Sequence, residues 1–82
     1  MLILKKEDGM EETKRVVMRR DGIGFFKWIL ESYEEIALLT VLDGKKGEVE
    51  LIYPSSAEDT LRGIMEDMAR YDIVFQEVRH AE

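Results

Sequence analysis

Seven residues, Ile36-Ala37-Leu38-Leu39-Thr40-Val41-Leu42, carry no charge in a chain where 37% of all residues are Asp, Glu, Lys or Arg. A short run that is apolar at nearly every position reads as a strand covered on both faces, not as one that alternates between core and water. The chain has 82 residues, and a domain of that size hides only about 60–65% of the surface its unfolded form exposes. A strand buried on both sides is a large demand on so small a core.

The flanking pattern supplies the other elements. Thr13 to Arg20 (TKRVVMRR) is short and β-branched at its centre, which predicts the first core strand. Asp21 stands where a helix N-cap belongs, and a helix from Gly22 to about Tyr33 puts Ile23, Phe26, Ile29, Leu30 and Tyr33 on one face. Phe25 and Trp28 lie together on its flank, so the apolar arc is wider than one core requires and a second surface is expected to cover them. Asp43 to Gly47 (DGKKG) reads as a hairpin loop, and Glu48 to Tyr53 alternates, with Val49, Leu51 and Tyr53 on one side. Pro54 ends that strand. Ser55 and Ser56, followed by Glu58 and Asp59, offer two overlapping capping boxes for a second helix whose stripe is Ala57, Leu61, Ile64, Met65 and Met68. Asp72 to Arg79 returns as a strand.

The order strand, helix, strand, strand, helix, strand predicts an α+β fold of the ferredoxin-like βαββαβ kind. Its form is a four-stranded antiparallel sheet with two helices on one face, spanning residues 13–80. Residues 1–12 are an arm or an extra strand. Since the helices cover one side only, the outer side of the Ile36–Leu42 strand needs another cover, and a second copy of the chain is the simplest one. The expectation is a homodimer with Phe25, Trp28, Leu38 and Thr40 at its interface.

Composition narrows the function. The net charge of −6 repels phosphate backbones and anionic lipid, so no nucleic-acid or membrane partner is expected. Leu2-Ile3-Leu4 is far too short for a signal-peptide core and no stretch is long enough to span a bilayer, which predicts a cytoplasmic protein. There is no Cys, and the single His80 stands near the C-terminus, so neither a thiolate nucleophile nor a metal centre is expected, and no cofactor. No pair of acids stands out by spacing as a general acid and base, so no enzyme is expected. The chain has no Asn and one Gln, Gln76, which with the high charge content points to a protein that works hot.

The candidate site is the turn into the first helix. Asp21, Gly22, Ile23 and Gly24 bring an acid, free helix-start amides and small residues together, with Arg19 and Arg20 beside them; strand alternation lets at most one of the arginines join. Strand, Asp, two residues, Gly and an apolar helix opening, as in Asp21-Gly22-Ile23-Gly24-Phe25-Phe26, resemble the ACT family of small regulatory domains. Ile23 stands where that family often has Pro. The resemblance implies a homodimeric regulatory module that binds a small zwitterion such as an amino acid. Asp21 would meet the ligand's ammonium, and the amides of Gly22, Ile23 and Gly24 its carboxylate; Arg20, which is not part of that family's pattern, is placed to hold a carboxylate beside the helix start. In the alternative the turn merely starts a helix, and the chain is a structural or protein-interaction domain without ligand. The chain is also similar to a group of small bacterial proteins sharing the Arg19-Arg20, Ile23-Gly24-Phe25-Phe26-Lys27, Ile29-Leu30-Glu31 and Tyr33 pattern.

Overall fold

The computed structural model describes residues 10–33 and 36–78. The elements are β1 (Glu11–Val17), α1 (Ile23–Ser32), β2 (Leu38–Asp43), β3 (Glu48–Pro54), α2 (Glu58–Asp67) and β4 (Gln76–Glu77), with single 3₁₀ turns at Arg20–Gly22, Ser55–Ala57 and Met68–Tyr71. The four strands form one antiparallel sheet in the order β2-β3-β1-β4. This is the expected βαββαβ arrangement, an α+β fold with two helices packed on the sheet.

The central pair is β1 against β3, in register from Glu11 opposite Pro54 to Val17 opposite Glu48. Alternation decides which side each residue takes. Val49, Leu51 and Tyr53 are buried as predicted, and they join Val16 and Met18 from the first strand in a single core with Phe26 and Leu30 of α1 and Leu61, Ile64 and Met68 of α2. The opposite face of the central strands carries Glu11, Thr13 and Arg15 across from Pro54, Ile52 and Glu50, and Arg15 lies 4.0 Å from Glu48. The side without helices is thus mixed, with Glu11, Arg15, Glu48 and Glu50 set among neutral and apolar residues such as Val17, Ile52 and Leu38.

Several boundaries differ from the expectation, each for a local reason. β1 starts at Glu11, inside the segment expected to be an arm, and stops at Val17 instead of Arg20, where its partner β3 begins at Glu48; one more bond, from the Met18 N–H to the Gly47 carbonyl at 2.8 Å, ties it to the hairpin loop. Gly47 sits at φ 78, where a Cβ would lie 1.8 Å from the Met18 carbonyl oxygen, so the hairpin and the end of β1 close on bare backbone. The capping boxes do not form: neither serine caps α2. Glu58 instead accepts from the Tyr53 hydroxyl at 2.7 Å and from Arg62 at 2.9 Å. The helix ends through the 3₁₀ turn into Asp72, which takes the left-handed conformation at φ 64 that Asp tolerates better than most residues. Among the described residues of the strand predicted at 72–79, Gln76 and Glu77 form β4 and the Val78 N–H donates to the Arg15 carbonyl at 2.8 Å, while Ile73 is buried and Phe75 packs on Phe26 at 4.8 Å. Arg79 and His80 lie outside the described residues, as do residues 1–9.

The apolar strand is the largest difference. β2 forms an edge of the sheet, and Leu38, Val41 and Leu42 remain 63%, 48% and 43% exposed. Among the described residues nothing supplies the double cover expected from its composition. Among the described residues no helix is long and apolar enough to cross a membrane.

Candidate functional site

The turn singled out in the sequence is organised differently from a ligand cradle. α1 begins at Ile23 with Gly22 at its cap position, so Asp21 is not the N-cap. Its carboxylate is held by Arg19, with Nε at 2.7 Å and Nη2 at 3.1 Å, a two-pronged pair that explains the lowered pKa of Asp21 and the raised pKa of Arg19. The amides of Gly22 and Ile23 donate to the carbonyls of Arg19 and Arg20, closing the 3₁₀ turn. Gly22 packs closely, since a Cβ there would come within 2.9 Å of Ile73 Cδ1 and that side chain would have to shift; at Gly24 a Cβ would meet nothing within 4 Å. Arg20 is exposed and forms no ion pair among the described residues. Asp21, Gly22, Ile23 and Gly24 are neighbours here, but the acid and two of the three amides already have partners, and Arg19 is taken up by Asp21. A ligand ammonium would have to share that carboxylate with the arginine.

The four expected interface residues fall on two surfaces. Leu38 and Thr40 pair with Ile52 and Glu50 of β3, at the edge of the sheet. Phe25 and Trp28 lie on the helical side, their rings stacked at 6.3 Å, and Tyr71 meets Phe25 edge-on at 5.1 Å. Phe25 is half-buried against the core, whereas Trp28 is 61% exposed. The flank position read from the helix period is therefore correct for Trp28 and only half correct for Phe25.

A third region was not anticipated. Between α2 and the strands β1 and β4 runs a groove of about 480 Å³, floored by Val16, Met65, Ile73 and Phe75 and edged by Lys14, Arg62, Glu66 and Glu77. Lys14 reaches it because alternation along β1 turns it to the same side as Val16, toward the helices. Its side chain is only 20% exposed, and its ammonium lies 3.8 Å from Glu58, an ion pair too long for a hydrogen bond. Glu58 is committed elsewhere, to Tyr53 and Arg62, and the Tyr53 hydrogen bond is the main cause of its lowered pKa. A lysine two residues before Val16 in a predicted strand was the available signal. Such inward-facing charges are few in so small a core, and each needs a partner.

Among the described residues no group of three or more His, Cys, Asp or Glu side chains could hold a metal. The element order, the four-stranded sheet and these surfaces define a small α+β domain of the βαββαβ class. The chain belongs to the family described as Domain of unknown function (DUF4911), which matches residues 16–71. That span runs from the end of β1 through both helices, and so covers the turn at Asp21 and the strand β2. No curated protein and no solved structure matches the chain.

Proposed function

We propose that this chain is a non-enzymatic homodimer that works by association, its two copies joined edge to edge through β2. The observation that carries this is the exposed edge strand. Edge strands of monomeric proteins are commonly protected by lysine, proline or an inward charge, because their unpaired N–H and C=O groups invite another strand. Leu38 to Leu42 has none of these, and Leu38, Val41 and Leu42 all face solvent. An antiparallel partner with its dyad at Thr40 sets Thr40 against itself and Leu39 against Val41, so every new cross-strand pair is uncharged. Phe25 and Trp28, on the helical side, stay outside such a contact.

The test is a cross-link. In antiparallel pairs opposed Cα atoms lie about 4.5–5.5 Å apart, within disulfide reach. Thr40→Cys is expected to oxidise to a covalent dimer, while Glu50→Cys, on the central strand, does not. A Thr40→Cys chain that stays monomeric under oxidation contradicts the edge contact.

A ligand-sensing module of the ACT kind is the second reading, supported by the shared element order and by a groove able to take a small molecule. A small zwitterion, such as an amino acid, is then the ligand. At the Asp21 turn it would compete with Arg19, so the Asp21 turn is the weaker of the two positions in which to seek it.

A further inference from the structure

Resting on the ligand-sensing reading, and independent of the dimer, we infer that the groove between α2 and β1 binds a small monocarboxylate with an apolar body, its carboxylate on Lys14. Three features of the groove define that chemistry. The first is Lys14 itself, four-fifths covered, with three N–H donors and no hydrogen-bonded acceptor among the described residues. Its ammonium is open to a charge-assisted hydrogen bond, since its near neighbour among the described residues, Glu58, lies 3.8 Å away and already accepts from Tyr53 and Arg62. The second is the floor of Val16, Met65, Ile73 and Phe75 in a volume of about 480 Å³, the size and lining of ordinary small-molecule sites.

The third is the rim. Glu66 and Glu77 flank the groove and make no ion pair among the described residues. Two acids at the entrance disfavour phosphates, dicarboxylates and other polyanions, while a single carboxylate can be offset by Lys14. Arg62 is bound to Glu58 at 2.9 Å and to Asp59 at 3.2 Å, so it closes one side of the groove and leaves Lys14 as the available cation. Branched 2-oxo acids and medium-chain fatty acids share this chemistry.

The experiment titrates the ¹⁵N-labelled chain with 4-methyl-2-oxopentanoate, octanoate, leucine, hexylamine and inorganic phosphate, following amide shifts and melting temperature. The first two are expected to shift the amides of Val16, Ile73 and Phe75 and to raise the melting temperature, while hexylamine and phosphate do neither. The arm that binds more tightly separates the oxo acid from the fatty acid. Lys14→Gln should weaken binding by about tenfold or more, the loss expected for a charged hydrogen bond, and Lys14→Arg should retain most of it. Because Lys14→Gln could disturb the sheet, Ala69→Glu provides a second block from the 3₁₀ turn after α2, where the side chain lines the groove and is exposed in the free protein. Binding of the carboxylates unchanged in both variants overturns the groove site. Leucine binding that survives Lys14→Gln but is lost in Asp21→Asn also overturns it, and leaves ligand sensing standing at the turn. No shift with any carboxylate or with leucine overturns both.

Discussion

β2 and β3 are neighbours in one sheet and nearly equal in length, yet their side chains fare oppositely. β3 alternates, and its three inward residues, Val49, Leu51 and Tyr53, are each at most 4% exposed. β2 is uncharged from Leu38 to Leu42, and Leu38, Val41 and Leu42 are each at least 43% exposed. What separates them is position: β3 has a strand on either side and both helices above, whereas β2 has β3 on one side only. Apolar content beyond what alternation can use is therefore a sign of surface that the single copy does not bury.

The comparison can be broken most forcefully by truncation on each strand. Leu51→Ala empties a fully covered position and is expected to lower the unfolding free energy by about 2–5 kcal/mol. Leu38→Ala, at a concentration low enough to separate the copies, should change it by less than about 0.5 kcal/mol. Urea unfolding measures both, and equal losses would mean that β2 is core after all. A smaller effect sharpens the inward side of β3. Tyr53→Phe keeps the packing but removes the hydroxyl that holds Glu58, at a cost of about 1 kcal/mol near neutral pH. Because this hydrogen bond lowers the Glu58 pKa, its contribution is present above the ordinary carboxylate range and is lost as pH falls through the lowered value. The deficit of Tyr53→Phe should thus shrink in acid, and a deficit that is the same at neutral and acid pH would assign it to packing alone.

Much of the fold was legible because periodicity is a local property. The alternation of Glu48 to Tyr53 and the stripe Leu61, Ile64, Met68 needed no knowledge of distant residues. What escaped depended on tertiary competition. Asp21 has the composition of an N-cap, but Arg19 two residues earlier offers it a guanidinium, and the 3₁₀ turn moves the helix start to Ile23. Ser55 and Ser56 have the spacing of capping boxes, but Glu58 is drawn to Tyr53 and Arg62, and the Ser55 amide donates to the Met10 carbonyl at 2.8 Å. The groove was hidden for a different reason. Lys14 and Arg62 are 48 positions apart in sequence and meet only through the crossover that lays α2 beside β1. The exposed edge was half legible: the apolarity of Ile36 to Leu42 marked an unusual strand, but only the strand order shows that β2 stands at the edge of the sheet.

Sedimentation equilibrium of the parent chain and of Val41→Lys, at micromolar concentration and matched circular dichroism, tests the association through β2 most directly. A lysine at Val41 puts a charge where the two copies would bring uncharged side chains together, and it alters a side chain that is 48% exposed in the single copy. The parent is expected to sediment with the mass of two chains and the variant with the mass of one, their spectra alike. A parent that is monomeric, or a folded variant that remains as dimeric as the parent, would contradict it.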